Sequence, residues 1–169
     1  MRNTAELALT AAASRAIDVT REPCPYVVSK ECTTGPTRGE RNRNPANIER
    51  DDTPWQGLAT DRSLDDRFCV FTDLLYGVRA LATMLLTYQR VHGLKTVRQI
   101  IQRWAVPKQT YTAASASVCA SRVGCSPDAE LDLETPAVLS ALVRAIIQHE
   151  KGNATCRGVV ADAVRLALA

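Results

Sequence analysis

The sequence is poor in aromatic residues, with two Phe, two Trp and four Tyr making 5% of 169 residues. It has two histidines, His92 and His149. Of its 21 basic residues only Lys30, Lys95, Lys108 and Lys151 are lysine, and the rest are arginine. No apolar run approaches the roughly 20 residues that cross a bilayer, so no membrane span is expected. The opening MRNTAELALTAAASRAIDVT is interrupted by Glu6 and closed by Arg15 and Asp18, which argues against a signal peptide. Gly-x-Ser-x-Gly, the phosphate loop and the dinucleotide fingerprint are all missing, so no nucleophile elbow and no cofactor is expected. There is no Cys-x-x-Cys among Cys24, Cys32, Cys69, Cys119, Cys125 and Cys156, and no metal site is expected. Cys24 and Cys32, in a Pro-rich segment, form the best disulfide candidate. The net charge of +3 is too small to argue for nucleic acid. The local run Arg38, Arg41, Arg43, Arg50 is diluted by Glu40, Glu49, Asp51 and Asp52.

What is present suits one helical domain. The chain is 46% hydrophobic and 23% charged, enough to bury a core. Residues 4–19 have helical composition, and Pro23 and Pro25 end it. Residues 1–37 read as an N-terminal arm, and residues 38–169 as the domain. Residues 38–66 are polar and loop-rich, and a long irregular stretch inside a compact domain is often functional. RFCVF (67–71) is β-branched and aromatic enough for a brief strand. Asp73 is placed to cap a helix with Leu74, Leu75, Val78, Leu81, Ala82, Leu85 and Leu86 on one face, ending near Gly93. Leu94, Val97, Ile100, Ile101 and Trp104 mark a second helix that starts near Thr96 and stops at Pro107. Residues 110–123 predict a helix of small residues. Thr135-Pro136 reads as an N-cap with proline at N1. It opens a helix through Val138, Leu139, Leu142, Val143, Ile146 and Ile147 to His149-Glu150, with Gly152 as its cap. Cys156 to Leu168 predicts a last short helix. The fold class is mostly α, with five or six helices and one elaborate polar loop.

RGERNRNPANIE (38–49) resembles the hallmark Arg-Gly-Ile-Arg-Asn-Asn-Asn-Pro-Gly-Asn-Ile of a family of phage and prophage virion structural proteins. Trp55 and Gly57 fit that family's Trp-x-Gly, and Arg67, Phe68, Val70 and Phe71 fit its Arg-Phe-x-Val-Phe. GVRAL (77–81), LLTYQRVHGLKTVRQIIQRWAVP (85–107) and AIIQHEKG (145–152) follow in the family's order. The order of motifs is also similar, more loosely, to lysozyme-like glucosaminidases and lytic transglycosylases. These resemblances imply a lysozyme-like helical domain in a phage virion protein, made in a bacterial host cytoplasm. They imply partners among other virion proteins, an oligomeric setting in the particle, and engagement of peptidoglycan. The rival they imply is an active peptidoglycan-cleaving lysozyme or lytic transglycosylase. Three departures touch the loop: Glu40 stands for an apolar Ile, Arg43 for the middle Asn, and Ala46 for Gly. An alanine where the loop requires φ > 0 costs on the order of 1 kcal/mol or changes the turn. AVPKQT (105–110) is shorter than the family's stretch and lacks its acid.

Glycosidic cleavage requires a carboxylic acid that protonates the leaving oxygen. Glu150 is the first candidate, because the negative end of a helix dipole favours a protonated carboxyl. His149 beside it is the second member of the candidate catalytic pair; the alternative is a solvated helix terminus. Glu31, upstream of Asn42, is another candidate acid, although its surroundings do not look like a helix end. Arg41, Asn42, Asn44 and Asn47 offer donors and acceptors suited to sugars, or else tie the loop to itself as Asx turns do. Trp55 is placed to stack on a sugar ring or to anchor the core.

Overall fold

The computed structural model describes residues 36–105, 113–151 and 157–169. Glu31, Cys24, Cys32, Cys156, Gly152 and all of the expected arm except Pro36 and Thr37 lie outside the described residues. The described residues form six helices and no strand. In order these are α1 (Arg38–Arg41), α2 (Leu74–Arg90), α3 (Val97–Ala105), α4 (Ala113–Val123), α5 (Pro136–Lys151) and α6 (Arg157–Leu168). A 3-10 turn at Arg62–Leu64 interrupts the loop between α1 and α2.

Local chemistry explains the helix starts. The Asp73 carboxylate accepts the Leu75 N–H at 2.8 Å and caps α2. At α3, the Thr96 hydroxyl accepts the Gln99 N–H, while the Gln99 side-chain oxygen accepts the N–H groups of Lys95 and Thr96. That is a capping box, with two orphan donors satisfied reciprocally. Pro136 opens α5, where its missing N–H costs nothing. Gly93, with φ +65°, follows α2 as expected.

The core is built from the apolar stripes of these helices. Helix α2 packs on α6 and α5, α5 on α4 and α6, and α3 on α4. Leu81 and Leu85 of α2, Ile100 of α3, Cys119 of α4, Leu142 and Ile146 of α5 and Val160 of α6 are all fully enclosed. The Gln89 side chain of α2 donates to Leu131 O and accepts from Leu133 N, which pins the segment ahead of α5 to α2.

The polar loop is not a loose excursion. It places Ala46, Ile48 and Phe71 in the same core. Burying a side chain the size of Phe71 contributes about 1.5–3 kcal/mol. The expected strand at RFCVF is corrected: Phe68 bridges Glu49 and Phe71 bridges Leu58, each in isolation. The segment is shared between two stretches of loop, Cys69 N donating to Ile48 O and Ala59 N to Val70 O, so no ladder develops. The concern over Ala46 is also corrected. The left-handed non-glycine positions are Arg43 (φ 50°) and Asn47 (φ 49°), and Ala46, fully buried, is not one of them.

Candidate functional site

The loop is organised from its inside by two residues. Asn44, fully buried, donates from Nδ2 to Ile48 O and Cys69 O and accepts the Ile48 N–H on Oδ1, each at 2.9 Å. Asp65, also buried, accepts two hydrogen bonds from Arg38 (Nε and Nη2, both 2.6 Å). It further accepts from Asn42 Nδ2 at 2.6 Å and from the N–H groups of Arg67 and Phe68. The Arg38 guanidinium, above all, holds the Asp65 carboxyl well below the usual carboxylate range; the Phe68 N–H, the Asn42 amide and the Arg67 N–H reinforce it against burial. The guanidiniums of Arg38 and Arg67 each lie over the Phe68 ring, 4.8 and 5.0 Å from its centroid. The Glu40 departure has a local role: its carboxylate accepts the Thr37 N–H at the start of α1.

Two glycines let the loop dock. Gly57 has φ +71°, and a methyl there would overlap the Tyr76 ring. At Gly77 a methyl would overlap the Arg43 carbonyl oxygen, so the absence of a side chain lets the loop lie against α2.

The loop then reaches the end of α5. Asn47 Nδ2 donates to Glu150 Oε2 at 3.3 Å, and Trp104 Nε1 donates to Glu150 Oε1 at 3.3 Å. Glu150 thereby joins the loop, α3 and α5. The space beside it is lined by Ile101, Trp104, Ser115, Cys119, Ile146, His149 and Glu150 and measures about 20 Å³. That holds one water, whereas sites for small organic ligands run to hundreds of Å³. Burial pushes the Cys119 thiol up to about 11, against which Arg122 works and to which Glu150 adds. A much larger groove, about 620 Å³, lies elsewhere, along α5 and α6 between Pro136 and Leu168. It is mainly apolar and shares no residue with the loop.

Of the residues singled out from the sequence, the fold brings together Asn47 and Glu150, with His149 exposed at the same edge. Asn42 and Asn44 point into the loop. Arg41 is exposed and donates to Pro36 O at 2.6 Å. Trp55 is half-buried against the core rim. Sequence reasoning missed Asp65 and the Trp104–Glu150 bond. For Asp65 the available signal was the Asp-Asp pair preceding the Arg-Phe-x-Val-Phe run, which does not tell Asp65 from Asp66.

No family model matches the chain. A curated relative does: Protein P5 of Pseudoalteromonas phage PM2 is 36% identical over 110 residues, which span 63% of this chain and 68% of the relative. The chain belongs to the Protein P5 family. It is thus a phage-related protein, mostly α-helical, and no helix among its described residues is long and apolar enough to cross a membrane. Within this member of the P5 family, the polar loop and the end of α5 form one connected unit through Asn47 and Glu150.

Proposed function

We propose that this protein is a virion-associated structural protein of a phage, with residues 38–169 as a lysozyme-like helical domain that works among other virion proteins. The observation that carries this reading is the direction of the loop's polar side chains. Asn42, Asn44 and Asn47 each donate to an atom of their own chain, and the free space at Glu150 is about 20 Å³. The loop is then a docking scaffold that ties one end of the helical body together, in a chain whose relative comes from a phage. Mass spectrometry of purified particles is the test. The protein should be present at a fixed ratio to the other virion proteins, and its absence from particles would overturn the reading.

A second reading is favoured by one observation, that Glu150 ends a helix beside Trp104 and the exposed His149. In it the protein cleaves peptidoglycan, with Glu150 as the acid. Turbidity loss of purified cell walls, set against a Glu150→Gln variant, separates the two. Clearing that the variant abolishes favours the enzyme, and no clearing by the parent favours the structural role.

A further inference from the structure

The helical body carries an open apolar groove of about 620 Å³ between α5 and α6. Its walls are Ala137 and Ser140 of α5 and Ala161, Val164 and Leu168 of α6. Ala137 and Ala161 are exposed in it. The charged residues that line it, Asp162 and Arg165, pair with each other at 3.3 Å, so the groove presents no net charge. A small-molecule site would carry convergent polar groups. Small side chains on both walls leave instead a channel that the apolar stripe of a helix can enter.

The chain itself holds such a stripe. In residues 4–19, Ala5, Leu9, Ala12, Ala16 and Val19 recur at alternating intervals of four and three, and Glu6, Arg15 and Asp18 fall outside that face. A lone helix of this length is marginal in water and depends on packing of its apolar face. The chain also enters the body near the groove. Arg43, just after α1, rests its carbonyl on Gly77 of α2. Two residues along α2, Arg79 Nε donates to Leu166 O at 3.3 Å, at the end of α6 where Leu168 lines the groove. The sixteen residues 20–35 reach about 50 Å when extended, more than the width of a domain of this size. A tethered segment also meets the groove at an effective concentration on the order of mM, ahead of any free competitor. We propose that residues 4–19 of this chain dock as a helix in its own α5–α6 groove, with Leu9 and Val19 set between Ala137 and Ala161.

Amide hydrogen exchange of the full chain, read residue by residue in ¹H–¹⁵N spectra, tests this. Amides from Leu9 to Val19 should exchange at least about tenfold more slowly than in an unfolded chain. Ala137→Glu and Ala161→Glu each place a charge on one wall, at an exposed position, and should bring those amides within about twofold of unfolded rates. Leu9→Glu, on the docking segment, should do the same and shift the Ala161 and Val164 amides. Ala114→Glu, equally exposed but on α4, should change nothing. The Leu85 amide, in the core, reports whether a wall variant has unfolded the body, and Leu9→Glu carries the test if it has. Unprotected amides in the parent overturn the proposal. So does protection that survives both wall variants, because residues 4–19 then pack elsewhere. Protection that fades on dilution also overturns it, since the groove is then filled by a second copy.

Discussion

Asn47 and Glu150 stand 103 positions apart and are joined by a hydrogen bond from Nδ2 to Oε2 at 3.3 Å. Glu150 also accepts from Trp104. Replacing Glu150 by Ala removes the acceptor that serves both N–H groups, one of them on a buried indole. The expected loss is about 1–3 kcal/mol in a denaturant titration. Glu150→Gln keeps an oxygen for one donor and should lose less. Equal losses for the two variants would show that one remaining oxygen in the same shape does not suffice, and that both donors depend on the charged carboxylate.

Asp65 predicts a pH dependence. Its folded-state pKa is lowered by Arg38 and its other donors. A group shifted this way stabilises the fold fully above its unfolded pKa, about 4, and the contribution fades as pH falls below that value. Urea midpoints measured between about pH 7 and pH 2 should fall on the acid side. In Asp65→Asn the midpoint at pH 7 should be lower and the acid slope shallower. An unchanged slope in the variant would assign the acid sensitivity to other carboxylates.

Much of the helical body was legible because its signals are local. Asp73 at the start of α2, Thr135-Pro136 at the start of α5 and the three-and-four spacing of Leu81, Leu85, Leu142 and Ile146 each act within a turn or two. The loop was recognisable as a motif, but its inside and outside were not. Asp65 and Asp66 are neighbours of the same type, yet the Asp65 side chain is 4% exposed and the Asp66 side chain 94%. Which of them meets Arg38 head-on depends on how residues 65–71 lie across residues 42–50, and no spacing encodes that. The bond from Asn47 to Glu150 was illegible for the same reason. RFCVF was misread as a strand because β propensity reports a half-buried fit, and here that fit is made against irregular backbone.

Gly77 is expected to tolerate no side chain. The added methyl of Gly77→Ala would meet the Arg43 carbonyl and crowd the Pro45 ring, neither of which is a flexible side-chain end. The loop must lift from α2, with a loss of about 3 kcal/mol. Thermal unfolding of Gly77→Ala checks this. A Tm within a degree of the parent would mean that the loop does not rest on α2 at this point.

Arg43 is a strained position of the loop. It holds φ 50°, a region where a long side chain costs roughly 1–2 kcal/mol and where Asn is several-fold enriched. Its side chain returns little, since Nη1 meets Phe71 O only at 3.4 Å and the residue is exposed. Arg43→Asn should therefore stabilise the protein by about 0.5–1 kcal/mol, with the helical spectrum unchanged. Asn47 at φ 49° already has the favourable residue, so Asn47→Ala should go the other way and also lose the bond to Glu150. Denaturant midpoints of the two variants give the sign of each. If Arg43→Asn destabilises, the guanidinium contributes more to the loop than its single long hydrogen bond accounts for.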